Sequence, residues 1–261
     1  MAESVRQFID NDAVRLCLER RGAGPRRVLF AHGWISSRRM WYEVAARLDP
    51  AKYTLELLDF RGCGLSDRPA HGHDLEGYAS DLRTAIDRID GSLTLVAHSM
   101  GGKLSQYIAS ERPRNLARLI LVAPGSAKAS RFPTKHREMT MEAYGSRERI
   151  ARFQRAAMAR ELTPETMERL VDDALIAQYE HWIGWYDRGR GVEFMDRVPS
   201  INVPALVIAG AKDPLAPLPS VKRHVAEAIP GALFVLLRNA GHNLPVEAPD
   251  DIAAAVERFS A

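Results

Sequence analysis

A chain of 261 residues is long enough to bury a sizeable core as one domain, and 46% hydrophobic residues place it with ordinary globular proteins. Its 36 Lys and Arg exceed the 33 Asp and Glu by a net charge of only +3, and the densest basic pairs, Arg26-Arg27 and Arg38-Arg39, lack the basic neighbours that would make a nucleic-acid stripe. No apolar run approaches a membrane span, the opening MAESVRQFIDND has no apolar signal-peptide core, and Cys17 and Cys63 match no metal-binding spacing. The expected setting is the cytoplasm, with both thiols free.

Residues 4–20 read as two short strands around the turn-forming cluster Asp10-Asn11-Asp12. A short apolar strand follows over 27–31, then a helix over 37–48 that places Met40, Trp41, Val44, Ala45 and Leu48 at helical spacing. Residues 53–60 are strand-like. Residues 75–89 carry Leu75, Tyr78, Ala79, Leu82, Ala85, Ile86 and Ile89 on one helical face. The spacing predicts a strand over 93–98, a helix over 103–112 and a strand over 116–123. Towards the end it predicts a strand over 203–209, a helix over 220–229, a strand over 233–237 and a closing helix over 249–259. Such alternation implies an α/β fold, a mainly parallel sheet with helices on both faces. Residues 127–199 break the rhythm. They hold no strand-like run and read as several helices, with Thr163-Pro164-Glu165 as a helix start and Pro199 near the exit. They are rich in aromatics, including Phe132, Phe153, Trp182, Trp185, Tyr186 and Phe194. A helical insertion between two sheet strands would sit over the strand ends, where its aromatics either line a pocket or only fix the insertion to the core.

The segment Ala97-His98-Ser99-Met100-Gly101-Gly102 stands where the strand over 93–98 meets a helix. It fits the nucleophile-elbow pattern G-x-S-x-G, with Ala97 in place of the first glycine. The chain must reverse sharply at the serine, in a conformation costing a non-glycine residue about 1–3 kcal/mol. The residues two before and two after then approach closely, and Ala97 and Gly101 are both small enough. A serine hydroxyl is a weak nucleophile that needs a base, and the base needs an orienting acid. Asp213 follows the strand over 203–209 and His242 follows the last strand, so all three candidates reach the carboxyl edge of the sheet, where ligands bind in such folds. An acid one strand earlier, near Ala123-Pro124-Gly125-Ser126, is ruled out, because no Asp or Glu lies between Glu111 and Glu138. The backbone N–H groups of Met100 and Trp34 are the candidate oxyanion donors, one after the serine and one after the strand over 27–31. His32 is expected to brace that turn. His32, His98, Trp182, Trp185 and Tyr186 are candidate pocket residues. The loop over 61–66 lacks P-loop spacing and reads as structural, with Cys63 inert. Lys103 falls in the helix after the serine, where a small or apolar residue is expected, and reads as a lysine snorkelling to the surface.

Together these residues resemble the α/β-hydrolase family, in its branch of small esterases, lactonases and perhydrolases. The resemblance spans nearly the whole chain. It rests on His32-Gly33-Trp34, the D-x-R-G-x-G-x-S loop from Asp59 to Ser66, the Ala97 to Gly102 elbow, Asp213 and Gly241-His242. It implies a core of residues 1–126 and 200–261, with 127–199 as a helical cap. It implies catalysis by Ser99, Asp213 and His242 on a small acyl substrate, apolar or aromatic, with no metal and no organic cofactor. A carboxylic ester or lactone is the first expectation. A C–C bond hydrolase or a cofactor-free perhydrolase or haloperoxidase would use the same triad, and a non-catalytic small-ligand binder of this fold is the alternative from another class. Dehalogenases and epoxide hydrolases carry Asp where this chain has Ser99. No nucleic-acid or membrane partner is expected, and the chain would act as a monomer or homodimer.

Overall fold

The structure, a computed structural model, describes residues 4–130 and 134–260. Phe132 lies outside the described residues. The strands are β1 (Ser4–Asn11), β2 (Val14–Arg21), β3 (Arg26–Ala31), β4 (Tyr53–Leu58), β5 (Leu93–His98), β6 (Leu116–Val122), β7 (Ala205–Gly210) and β8 (Leu233–Leu237). They form one eight-stranded sheet in the order β1-β2-β4-β3-β5-β6-β7-β8. The first two strands make a hairpin that joins β4 antiparallel, and every pairing from β4 to β8 is parallel. The parallel strands β3 to β7 are short and almost wholly buried, as strands covered on both faces must be.

The helices are α1 (Tyr42–Ala45), α2 (Leu75–Asp87), α3 (Met100–Ser110), α4 (Thr134–Glu142), α5 (Arg147–Ala157), α6 (Pro164–Ile176), α7 (Tyr179–Gly184), α8 (Leu218–Val221), α9 (Leu244–Glu247) and α10 (Pro249–Phe259). Two apolar layers cover the sheet. One packs Leu82, Ile86, Leu104 and Ile108 of α2 and α3 on one face; the other packs Val44, Ile252 and Val256 of α1 and α10, with Trp41 just before α1, on the opposite face. The long helices follow the apolar periodicity read from the sequence. Two expected helices are shorter. Over 37–48 the chain forms a 3₁₀ turn, Arg38–Trp41, capped by the Ser37 side chain, and then α1, whose end tightens into Arg47-to-Val44 and Leu48-to-Ala45 bonds. Over 220–229 only α8 is regular, and the next turn, Lys222–Ala226, widens until the Glu227 N–H reaches the Lys222 carbonyl.

The parallel strands all run the same way, so the turns after β3, β5, β6, β7 and β8 gather along one edge. Helices α4 to α7 form the insertion between β6 and β7. Its ends are tied to the segment after β6, where the Ser130 N–H bonds the Arg190 carbonyl at 3.1 Å and the Phe194 N–H bonds the Ala127 carbonyl at 3.0 Å. The insertion has a small apolar core of its own around Ile150, Val171, Ala174 and Trp182.

Candidate active site

Ser99 is the N-cap of α3, with φ 51° and ψ −109°. A serine held there is strained by about 1–3 kcal/mol, and the surroundings enforce it. The Ser99 N–H is fixed by the Val122 carbonyl, and its own carbonyl accepts from the Lys103 and Gly125 N–H groups. A Cβ on Gly101 would lie 2.7 Å from both the Ala31 and the His32 carbonyl oxygens, so α3 can start against β3 only with glycine there. Ala97 is fully buried in β5 and pairs with Ala31 and Leu121, so a methyl group is accommodated at the first elbow position.

Ser99, His242 and Asp213 form one hydrogen-bonded chain. Ser99 Oγ lies 2.9 Å from His242 Nε2, and His242 Nδ1 lies 2.8 Å from Asp213 Oδ2. The other oxygen of Asp213 accepts the Leu215 and Ala216 N–H groups, each at 2.8 Å, which fixes the carboxylate against rotation. With Nδ1–H donating to the carboxylate, Nε2 is the acceptor for the serine hydroxyl. Ser99 is half-buried, and it opens on a cavity of about 440 Å³.

The loop carrying His242 is held on three sides. Its N–H donates to the Ala157 carbonyl at 2.8 Å, and its carbonyl accepts from His98 Nε2 at 2.9 Å. Burial, with the neighbouring His242 adding to it, pushes His98 down to about 3, so His98 is a neutral donor with Nδ1 unprotonated. The third hold is Glu247, which the sequence did not single out. One of its oxygens accepts the N–H groups of Gly241 (2.9 Å), Ala159 (2.8 Å) and Arg160 (3.1 Å), and the other accepts that of Asn243 (3.0 Å). Gln154 of α5 adds a 2.9 Å bond from the Asn243 side chain. The only sequence sign of this clamp is a carboxylate four residues after Asn243.

Trp34 and Met100, the expected oxyanion residues, both line the cavity beside Ser99. Met100 opens α3, where the N–H groups have no intrahelical acceptor. Gly33 brings the β3 turn against the serine, since a Cβ there would lie 3.2 Å from Ser99 Cβ. Of the expected pocket residues, His98, Trp185 and Tyr186 line the cavity. His32 and Trp182 do not. His32 is buried behind the turn, donating from Nδ1 to the Gly33 carbonyl at 2.7 Å and accepting the Phe60 N–H at Nε2. Trp182 is buried in the insertion, where its indole N–H bonds the Ala174 carbonyl and its ring abuts Trp34.

Lys103 is not a surface residue. It is 2% exposed, and Nζ donates to the carbonyls of Val192 (2.6 Å), Arg190 (2.8 Å) and Lys128 (3.4 Å). Burial, reinforced by Arg190, pushes its amine down to about 8. The 61–66 loop is structural, as expected. Arg61 forms a two-toothed pair with Asp81, and the Ser66 hydroxyl bonds the Asp59 carbonyl at 2.6 Å. Cys17 and Cys63 are both free and buried, and burial pushes the Cys63 thiol far up, which removes the thiolate that reactivity needs. No group of His, Cys, Asp and Glu among the described residues is arranged to hold a metal ion. No described helix is long and apolar enough to cross a membrane.

Residues 28–255 match the model of the alpha/beta hydrolase family. The chain belongs to that family. It is 26% identical over 258 residues to the AB hydrolase superfamily protein YisY of Bacillus subtilis, covering 95% of this chain and 96% of that one. It is 24% identical over 249 residues to the non-heme chloroperoxidase CPO-A1 of Kitasatospora aureofaciens, covering 89% of this chain and 90% of that protein. Among solved structures, an esterase (EaEST) from Exiguobacterium antarcticum superposes with a TM-score of 0.90 at 22% identity, covering 98% of this chain and 99% of the other. The α/β-hydrolase fold expected from the sequence is therefore the fold of this chain.

Proposed function

We propose that this member of the hydrolase family is a serine hydrolase that cleaves a small carboxylic ester or lactone through an acyl-enzyme on Ser99. The observation that carries this reading is the unbroken chain from Ser99 Oγ through His242 to Asp213, at 2.9 and 2.8 Å, at the mouth of a cavity of ligand size. His242 Nε2 takes the serine proton as Oγ attacks the carbonyl. Asp213 keeps the imidazole in its Nδ1–H form and stabilises the imidazolium. The Met100 and Trp34 N–H groups receive the oxyanion, each worth on the order of 10²–10³ in turnover. The C–O bond breaks as His242 returns its proton to the leaving oxygen, and water, deprotonated by the same histidine, frees the acid and restores the serine. The insertion over 127–199 serves as the cap of this site.

The test is Ser99→Ala on an accepted p-nitrophenyl ester. Turnover should fall by roughly 10⁶, and labelling by a fluorophosphonate should disappear with it. Near wild-type hydrolysis by the variant would overturn the assignment, and failure of the wild type to label would favour a non-catalytic binder. A second reading, favoured by the chloroperoxidase relative, is a perhydrolase in which hydrogen peroxide replaces water on the acyl-enzyme. Release of peracid from the acyl-enzyme faster than release of acid would select it.

A further inference from the structure

Ile35, in the turn after β3, stands in the left-handed region at φ 48°, an outlier for a β-branched side chain. The insertion holds it there by two contacts. Its side chain is buried in the apolar core of the insertion, with Val171, Ala174 and Trp182. Its N–H donates to Nε2 of His181 in α7 at 3.2 Å. The residue before it carries the proposed oxyanion donor. The Trp34 N–H shares a rigid peptide plane with the Gly33 carbonyl, and His32 holds that carbonyl through its Nδ1–H at 2.7 Å. The Ile35 N–H belongs to the following plane. The two planes that flank the Trp34 Cα are thus held by two histidines, one from the core and one from the insertion. A left-handed Ile35 relaxes by rotation of the second plane, and the bond to His181 opposes that rotation.

His181 can accept this N–H because a buried chain of hydrogen bonds fixes its tautomer. A carbonyl only accepts, so His73 Nε2 donates to the Pro69 carbonyl at 2.8 Å, and His73 Nδ1 accepts the Tyr78 hydroxyl at 2.9 Å. The Tyr78 oxygen then receives the His181 Nδ1–H at 2.7 Å, which leaves Nε2 as the acceptor. The Ile35 N–H can only donate, so the opposite end of the chain demands the same tautomer. The Cys63 thiol, 3.4 Å from Nε2, shares its lone pair. Burial, reinforced by His32 and His73, holds His181 well below the ordinary histidine range, and the ring stays neutral.

We propose that His181 is a positioning residue through which the insertion completes the oxyanion turn: its Nε2 holds the Ile35 N–H and so keeps the neighbouring Trp34 N–H aimed at the oxygen of the carbonyl under attack. What the Trp34 N–H does there rests on the serine-hydrolase reading; the hold on the turn does not.

His181→Asn and His181→Gln separate the two ring nitrogens. Asparagine keeps a donor where Nδ1 stands, within reach of Tyr78, and is too short to reach Ile35. Glutamine carries an acceptor out to where Nε2 stands. On a p-nitrophenyl ester His181→Asn should lower kcat on the order of 10–100-fold with KM nearly unchanged, the range set by a displaced or lost oxyanion donor. His181→Gln should recover most of that loss. Hydrogen exchange on the full chain should show the Ile35 amide opening several-fold faster in His181→Asn than in wild type or His181→Gln. Ring-nitrogen NMR of the wild type should show His181 protonated at Nδ1 alone, a readout that stands should the variants not fold. An Nε2–H tautomer, an unchanged kcat in His181→Asn, a loss confined to KM or an equal loss in both variants would overturn the proposal. Ile35 exchange that follows the two variants while hydrolysis persists in Ser99→Ala would sink the serine assignment and leave the hold on the turn standing.

Discussion

Glu247 offers the sharpest test of how His242 is held. Its carboxylate is 4% exposed and accepts four backbone N–H groups, two of which flank His242 in sequence. In Glu247→Ala the Ala159 and Arg160 donors, which are partly exposed, can turn to water. The Gly241 and Asn243 donors are buried and cannot. Two stranded buried N–H groups at about 1–3 kcal/mol each cost about 2–6 kcal/mol. At about 2–4 °C per kcal/mol for a domain of this size, the melting temperature should fall by roughly 5–20 °C. Glu247→Gln should lose less. Its amide oxygen can keep the three bonds made by one carboxylate oxygen, leaving only the Asn243 N–H opposed, at about 1–3 kcal/mol. Catalysis should suffer through geometry. A displacement of about 1 Å at His242 costs on the order of 10²-fold, and it should appear in kcat with KM nearly unchanged. Thermal melts and p-nitrophenyl ester kinetics on the two variants supply both readouts. An alanine variant that melts within about 2 °C of wild type, or whose loss falls in KM alone, would refute the clamp.

Asp213→Asn should leave the fold intact, because its remaining oxygen can still accept the Leu215 and Ala216 N–H groups. It should lower kcat by about 10⁴ by favouring the wrong imidazole tautomer, and pre-steady-state acylation would show the loss. Gly101→Ala places a methyl group 2.7 Å from two carbonyl oxygens of the β3 turn. It should shift that turn, destabilise the protein by about 1–3 kcal/mol in urea unfolding and cut activity together with stability. Lys103 carries a pH signature. Its amine is held near 8 against 10.5 for an exposed lysine, first by burial and then by Arg190, with Glu193 opposing. The folded state therefore binds fewer protons than the unfolded state between those values. The cost of the buried charge is complete below pH 8 and fades as pH rises to 10.5, so this group makes stability increase with pH across that window. Between pH 8 and pH 10.5 the stability of wild type relative to Lys103→Met should rise by a few kcal/mol, on the order of 1.4 kcal/mol for every tenfold fall in proton concentration. A difference that stays flat with pH would show that the amine is not held down.

The elbow serine, the aspartate and the histidine were legible because each sits at a punctuation mark that the strand period exposes. Ser99, Asp213 and His242 all follow short apolar runs, and the parallel order of those runs delivers them to one edge. The pocket wall was not legible in the same way. His32 and Trp182 share the composition of a pocket residue, but which way each ring turns depends on the Phe60 N–H and the Ala174 carbonyl, partners that no local pattern identifies. Glu247 was missed for a related reason. Its four donors come from two segments more than eighty residues apart in sequence, one on the insertion and one on the His242 loop. Lys103 is the instructive case, because the sequence marked it as misplaced and chose the ordinary remedy, escape to solvent. A lysine one turn beyond Ser99 and facing the insertion has no such escape once the chain from 190 to 192 closes over it. It keeps its charge by giving every N–H to a carbonyl. A local rule broken without a local remedy is what functional sites are expected to show, and here the broken rule ties the helix that Ser99 caps to the segments over 128 and 190–192.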